Sequence, residues 1–172
     1  MDKKQQETVN RLLQAAEGLT LDQIRGVSTE KLDLIVFSLI GEKTEIYVHA
    51  QCPIRMTAGG KALLAINDLY LPREGVTEEQ LEQAPEENSL FDERADALEQ
   101  AGLKVQGASV TLEGEMHIDF QTGQRLRVYP YCSNRNEEWR VILARDGRRT
   151  HIVYLGDGET DVETKREGKR GG

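Results

Sequence analysis

The spacing of apolar residues changes along the chain from helical to strand-like. Residues 2–17 predict an amphipathic helix that ends at Gly18. Its apolar face consists of Val9, Leu12, Leu13 and Ala16. The next segment, LDQIRGV, follows Thr20 and predicts a turn or a brief helix.

Strand patterns begin after Lys31. The run LDLIVFSLI is apolar on both faces, which is typical of a strand covered on both sides. Apolar and polar positions then alternate in TEIYVHA, and the intervening GEK predicts a hairpin turn. Pro53 disfavours a continuing central strand. The pattern of residues 61–67 leaves strand and helix open.

Two acidic helices are predicted in the middle of the chain. Thr77 has the features of an N-cap, with Gln80 three residues later, and Pro85 ends this first helix. The second helix covers roughly residues 89–101 and stops at Gly102.

Alternating strands return after these helices. Glu-Gly, Thr-Gly and Asp-Gly pairs separate them, as in tight turns between antiparallel strands. The pattern predicts an α+β fold, mainly antiparallel β-sheet, with an N-terminal helix and a central acidic helical pair. Residues 1–156 are expected to form a single domain. Residues 157–172 contain little apolar sequence and predict a flexible tail.

Two segments of the chain echo each other. TEIYVHAQCPIR and QRLRVYPYCSNR both contain an alternating strand with an aromatic residue, then a cysteine near a proline, then an arginine three residues after the cysteine. The echo predicts two related sheet units, a pseudo-repeat over residues 31–72 and 104–155.

The composition is that of a polar-surfaced globular protein. The chain has 172 residues, of which 38% are hydrophobic and 30% charged. This length is enough for one domain with a sizeable core or for two very small ones. No window approaches the ~20 consecutive apolar residues of a membrane helix, and the N-terminus lacks the apolar core of a secretory signal. We therefore expect a cytoplasmic protein that makes no membrane contact, with Cys52 and Cys132 as free thiols.

Charge is unevenly distributed. The net charge is −8, and residues 74–99 contain ten acidic side chains but only one basic one, Arg94. Nucleic-acid binding needs a basic footprint, and the chain has no dense Lys/Arg run outside its C-terminal tail, so no nucleic-acid partner is expected. The acidic block would attract a basic protein, or would only form a solvated helix face.

The residues that could carry chemistry are dispersed. Cys132 could act as a nucleophile with His117 or His151 as its base, and His49 precedes Cys52 by three residues, but no catalytic signature surrounds either cysteine. The histidines and cysteines include only one close pair of zinc ligands. No pair of carboxylates stands out, and GGK lacks the spacing of a phosphate loop. We expect no cofactor and no metal.

The segment RVYPYCSNRNEEWRV, residues 127–141, is the most unusual in composition. It contains the only tryptophan, two tyrosines and one of the two cysteines. A strand, a polar turn and a second strand explain it best, with Trp139 packed on the core. Tyr129 and Tyr131 share a face opposite Val128, where they would either cover a sheet edge or form a binding surface, because Tyr, Trp and Arg are enriched at interface hot spots. Binding is therefore the second interpretation of this segment, and catalysis a distant third.

A resemblance covers residues 89–145. FDERADAL leading into a strand, the hairpin EMHIDFQTGQRLRVYP and the closing NEEWRV resemble small uncharacterised bacterial proteins of the polymorphic-toxin immunity type. The stretch KLDLIVFSLIGEKTEIYVHAQCPIR is more loosely similar to the first half of such proteins. The resemblance implies a non-enzymatic cytoplasmic binder that blocks a toxin's active site. The acidic insertion near residues 74–88 departs from the pattern, and no inhibitory residue carries over.

The leading hypothesis is therefore an immunity protein that neutralises a cognate toxin, or another basic protein, by occlusion. Two other classes stay open: a small enzyme using a carboxylate or Cys132 in a helix-sheet cleft, and a self-associating structural or phage-encoded adaptor that forms a homodimer through a sheet edge. The predicted partner-binding residues are Glu78, Glu79, Glu82, Glu86, Glu87, Tyr129, Tyr131, Trp139 and Arg140.

Overall fold

The computed structural model describes residues 1–29 and 32–166. Its helices are α1 Lys3–Leu13, α2 Glu78–Gln83, α3 Pro85–Asn88 and α4 Leu90–Gln100, with 3-10 turns at Gln14–Ala16 and Ile66–Tyr70. Its strands are β1 Thr20–Ser28, β2 Asp33–Ile40, β3 Thr44–Ala50, β4 Ile54–Ala58, β5 Lys61–Ala65, β6 Val105–Val110, β7 Met116–Phe120, β8 Arg125–Val128, β9 Glu137–Arg145, β10 Arg148–Leu155 and β11 Thr160–Arg166.

The strands form two antiparallel sheets. At one place, which we call the crossing, the chain passes from one sheet to the other twice. The first sheet has the order β1-β2-β3-β9-β10-β11 and the second β5-β4-β8-β7-β6. β3 passes through Cys52 and Pro53 into β4, while β8 runs alongside in the opposite direction and leads to β9. The Gln51 N–H donates to the Glu138 carbonyl and the Tyr129 N–H to the Pro53 carbonyl, each at 2.8 Å. The predicted α+β, mainly antiparallel fold with an N-terminal helix is confirmed.

The first five strands and the next five strands of the chain are divided between the two sheets in a corresponding way. β1–β5 place three strands in the first sheet and two in the second, and β6–β10 do the reverse. A helix precedes each group, α1 before β1 and α4 before β6. This correspondence starts at Thr20, one strand before the pseudo-repeat expected at residue 31. The pseudo-repeat itself stays a prediction, because strand order does not establish a repeated sequence.

The core lies between the two sheets and follows the alternation of each strand. One row of fully buried side chains crosses the first sheet, and another crosses the second, within one hydrophobic cluster. The first row is Phe37, Val48, Val141 and Ile152, and the second is Met56, Leu126 and Ile118. None of the helices in residues 1–29 and 32–166 is long and apolar enough to cross a membrane.

Two edge strands, β1 and β6, lie next to helices, and in each a backbone N–H at the open edge is bonded by a side chain of the helix. α4 packs on β1, where the Ile24 N–H donates to the Glu99 carboxylate at 2.6 Å. α1 packs on β6, where the Val110 N–H donates to the Asn10 side chain at 2.7 Å. Gly26 allows the Leu69 side chain to approach β1 closely, since a Cβ at position 26 would lie 2.5 Å from Leu69. Contacts with neighbouring elements therefore hold β1 in the sheet, rather than a strong intrinsic preference of its residues for a strand.

Two expectations about secondary structure are wrong. LDQIRGV, expected to be a turn or brief helix, belongs to β1, whose register shifts between Leu21 and Gln23. This bulge spaces the buried Leu21 and Ile24 three residues apart, which imitates helical periodicity. The tail expected over residues 157–172 instead contains β11, paired along its length with β10. The rest of that expectation, residues 167–172, lies outside the described residues.

Candidate partner-binding surface

The acidic helices lie on an excursion of the chain whose two ends meet. Pro72 and Ser89 form an isolated antiparallel bridge. Beside it, the Leu90 N–H donates to the Leu71 carbonyl at 2.7 Å and the Arg73 N–H to the Asn88 carbonyl at 2.9 Å. We call residues 72–89 the acidic excursion. Its closed neck holds α2 and α3 at one place on the surface.

The glutamates predicted to bind a partner are carried by this excursion. Thr77 caps α2 through a capping box with Gln80, as predicted, and Leu81 is the residue that anchors the helix in the protein. The side chains of four of these glutamates are exposed, and none of the ion pairs found in residues 1–29 and 32–166 involves them. They are Glu78, Glu79, Glu82 and Glu87; Glu86 lies on α3. Their charges are therefore available to a partner.

Tyr131 lines a groove where β2 begins and β3 ends. The groove has a volume of about 430 Å³. Tyr131 is 69% exposed, Tyr70 54% and Leu32 40%, so aromatic and apolar surface faces solvent here. We call it the tyrosine groove, and its other lining residues are Thr29, Asp33, Gln51, Cys52, Pro53, Ile66 and Asn67.

Hydrogen bonds fix the position of Tyr70 at the wall of the groove. Its hydroxyl donates to the Asp33 carboxylate, and it lies 3.0 Å from the Ser28 hydroxyl. Ser28 also donates to Asp33, at 2.7 Å. The bond to Asp33 raises the pKa of the Tyr70 hydroxyl above its usual value. A tyrosine held in this way loses little side-chain entropy when a partner packs against it.

The tyrosine groove and the acidic excursion are neighbours. Tyr70 lines the groove, and the next residue, Leu71, forms the neck of the excursion. Leu71 is itself 47% exposed. Of the eight large hydrophobic side chains found exposed in the described chain, three line this groove, Leu32, Tyr70 and Tyr131, and Leu71 follows Tyr70 in the chain. The neck of the acidic excursion therefore lies next to Tyr70, which lines the groove together with Tyr131.

The remaining predicted residues have different positions. Tyr129 is 38% exposed at the crossing between the sheets. Arg140 lies on the outer face of the first sheet and pairs with Glu137 at 2.7 Å, and Glu137 accepts from Gln51 in the groove. Burial, followed by the charge of Arg140, lowers the pKa of the neighbouring His49. Arg140 is thus linked to the groove through two side chains.

The prediction that Trp139 contacts a partner is wrong. Its side chain is fully buried, stacks on Tyr154 with ring centroids 5.3 Å apart, and donates to the Gly114 carbonyl at 2.7 Å. Tyr154 in turn donates to the Glu113 carbonyl at 2.7 Å. Trp139 therefore clamps the turn between β6 and β7, which agrees with the first interpretation of its segment, a strand packed on the core.

Both cysteines lie beside a buried carboxylate. Glu138 is 1% exposed and accepts the N–H groups of Tyr131 and Cys132, each at 3.1 Å. Burial raises the pKa of the Cys52 thiol, and the Glu138 charge raises it further. Hydrogen bonding to Glu138 raises the pKa of the Cys132 thiol. A thiolate nucleophile needs the opposite shift.

The described residues contain no group of three His, Cys, Asp or Glu side chains placed to hold a metal ion. Both cysteines are free, as expected. Sequence reasoning missed Tyr70, Asp33 and Leu32, which are distant from Tyr131 in the chain. The signal for Tyr70 was its place in NDLYLPREG, directly before the acidic block, where a large aromatic precedes a proline and a charged run.

Comparisons with known protein families, with curated proteins and with solved structures find no match to this chain.

Proposed function

We propose that this protein is a non-enzymatic, cytoplasmic binding protein of the immunity type, which neutralises a basic bacterial toxin by covering its active site. The observation that carries the proposal is the joining of the tyrosine groove to the acidic excursion through Tyr70 and Leu71. Exposed aromatic side chains in the groove thus adjoin the neck of a segment that carries exposed glutamates.

The two parts of this face would perform different steps of binding. The glutamates on α2 and α3 would steer a basic partner towards the face, which raises the association rate. Tyr70 and Tyr131 would then pack into the partner, because large aromatic side chains supply most of the binding energy at such interfaces. The groove between them would accept one protruding side chain of the partner.

The enzymatic alternative with Cys132 as nucleophile has less support. Its thiol is held protonated by the neighbouring Glu138, and a cysteine of raised pKa is a poor nucleophile at neutral pH. Asp33, the one carboxylate among the described residues that line the groove, accepts hydrogen bonds from Tyr70 and Ser28.

Site-specific crosslinking in cells tests the proposal even though the partner is unidentified. A photo-crosslinking amino acid replaces Tyr131 in the full chain, and the matched control carries it at Val162, which is 44% exposed on β11. We expect a basic protein crosslinked from position 131 only. Expressed alone, that protein should arrest growth, and co-expression of this chain should restore it. A partner that is harmless alone would contradict the immunity function, and equal crosslinking from both positions would contradict the surface.

Charge variants then test the steering role. Glu78, Glu79, Glu82 and Glu87 are replaced together by glutamine, and the control replaces four exposed acids elsewhere with their amides: Glu17, Asp22, Glu42 and Glu113. Both variants change the net charge equally. We expect the first to slow association with the captured partner about tenfold at low salt, with the difference disappearing at high salt. Equal slowing in both variants would remove the acidic excursion from the mechanism.

A further inference from the structure

A second groove, on a different part of the molecule, has a basic lining. It lies between the C-terminal part of α1 and the ends of β9, β10 and β11, and has a volume of about 770 Å³. Its apolar wall consists of Leu12 and Ala15 on α1 and Leu143 on β9. Leu12 and Ala15 are partly exposed residues that pack against the core, so the groove opens onto apolar surface.

Three arginines form a row across the strands beside this wall. Arg145 on β9 is directly opposite Arg148 on β10, and Arg148 is directly opposite Arg166 on β11. Directly opposite residues in antiparallel strands point to the same face. Since Arg145, Arg148 and Thr164 all line the groove, the row faces it. Arg11, in the last turn of α1, lines the groove from the other side.

This arrangement is unfavourable unless an anion accompanies it. Like charges directly opposite in neighbouring strands destabilise a sheet. Among residues 1–29 and 32–166, the four arginines have one carboxylate partner, Asp146, which lies 3.3 Å from Arg145 on the hairpin turn. The chain as a whole has a net charge of −8, so acidic side chains are plentiful, yet Asp146 is the one carboxylate among the described residues that line this groove.

The chemistry of the lining defines the ligand. A guanidinium group presents a planar fork of N–H donors that matches the oxygens of a phosphate or a carboxylate. The apolar wall beside the arginines would cover hydrocarbon. We infer that this groove binds an organic oxyanion: a phosphate or carboxylate headgroup held by Arg11, Arg145 and Arg148, with an apolar body lying on Leu12, Ala15 and Leu143. The inference does not depend on the proposed toxin binding, because the residues are different.

Calorimetric titration of the full chain with four probes tests the inference. Decyl phosphate and decanoate, below their micelle concentrations, carry both parts of the ligand with different headgroups. Inorganic phosphate carries only the anion, and decanol only the hydrocarbon. We expect at least one of the two amphiphilic anions to bind, about tenfold or more tightly than either partial probe. The stronger of the two identifies the headgroup. No binding of either would overturn the inference.

Variants locate the binding. Arg148→Gln and Arg11→Gln should each weaken binding of the amphiphilic anion about tenfold. Arg149→Gln is the matched control, because Arg149 is adjacent to Arg148 but points to the opposite face of the sheet, and it should leave affinity unchanged. Equal weakening by Arg148→Gln and Arg149→Gln would overturn the groove assignment in favour of a general charge effect.

The melting temperature distinguishes a ligand-binding role of the arginine row from a structural role. Arg148→Gln removes the middle charge of the row, so the melting temperature of the ligand-free variant should equal or exceed that of the parent. A lower melting temperature together with unchanged anion binding would make the row structural and overturn the inference. Tighter binding of a single-stranded oligonucleotide than of decyl phosphate, lost in Arg148→Gln, would assign the groove to nucleic acid instead.

Discussion

At the scale of the residue, Trp139 shows how a conspicuous side chain can be structural. Its ring is fully buried, stacks on Tyr154 and bonds to Gly114. Gly114 has a φ of 84°, and a Cβ there would lie 2.1 Å from the Tyr154 ring. Three residues distant in sequence therefore depend on each other, and a larger residue at position 114 would break the cluster.

We expect Trp139→Phe to lower the free energy of unfolding by about 3 kcal/mol, because it leaves the Gly114 carbonyl without a donor and a void beside Tyr154. Urea denaturation measures the change. Tyr129→Phe, a half-exposed aromatic in the same segment, should change stability by less than about 0.5 kcal/mol. Loss of partner binding by Trp139→Phe at unchanged stability would contradict the structural role.

Cys52 makes the free energy of unfolding depend on pH in the alkaline range. Its pKa is raised above the ordinary value of 9.0 by burial, so the folded state holds the proton more tightly than the unfolded state. The resulting stabilisation is complete below about pH 9 and is lost as the pH rises further. We expect the free energy of unfolding to fall between about pH 8.5 and about pH 10, and Cys52→Ala to reduce that slope. An unchanged slope in Cys52→Ala would contradict the burial effect.

At the scale of the element, β1 is held in its sheet by contacts rather than by its own sequence. One bulge, one interior glycine and an exposed Arg25 make it a poor strand in isolation. Its inner neighbour β2 is strongly apolar, while on its open side Glu99 of α4 accepts the Ile24 N–H. Closing an edge strand in this way also prevents it from pairing with another chain.

Glu99→Ala should therefore lower the free energy of unfolding by about 1 to 2 kcal/mol, since the Ile24 N–H loses its charged acceptor. Glu99→Gln keeps an oxygen in place and should cost about half as much. The control is Asp96→Ala on the exposed side of the same helix. Chemical denaturation of the three variants checks the order, and an equal cost for Asp96→Ala and Glu99→Ala would show that only helix charge matters.

At the scale of the whole molecule, the two sheets have edges of different character. A helix packs on each of β1 and β6, whereas within residues 1–29 and 32–166 β11 has β10 as its one neighbouring strand. Its side chains are largely exposed and carry both charge signs, with Lys165 3.0 Å from Glu163. This edge is where a second copy of the chain would add, as in the self-association alternative.

Hydrogen exchange distinguishes the two states of this edge. In a monomer, amides of β11 should exchange much faster than those of β3 and β9, which are hydrogen-bonded on both sides in the middle of the sheet. Exchange of β11 that slows with protein concentration would contradict this expectation and support a homodimer through the edge. Light scattering at the same concentrations supplies the mass.

Much of the local structure could be predicted from the sequence. The helical period of α1, the capping box at Thr77 and the glycine turns between β6 and β10 depend on residues close together in the chain. β1 could not be predicted, because its bulge removes the two-residue period. β11 could not be predicted either, since its exposed and charged residues are ordered by pairing with β10 and not by burial.

The candidate sites divide in the same way. Sequence alone determined which residues are acidic and that they lie on short helices, because charge runs and caps are local. Only the tertiary structure decided that Trp139 is inside, that Tyr70 lies in the groove with Tyr131 and next to the neck of the acidic excursion, and that Arg11, Arg145 and Arg148 share one groove. The reason is register: pairing of distant strands sets which side chains become neighbours, and one residue of slip would move each to the opposite face.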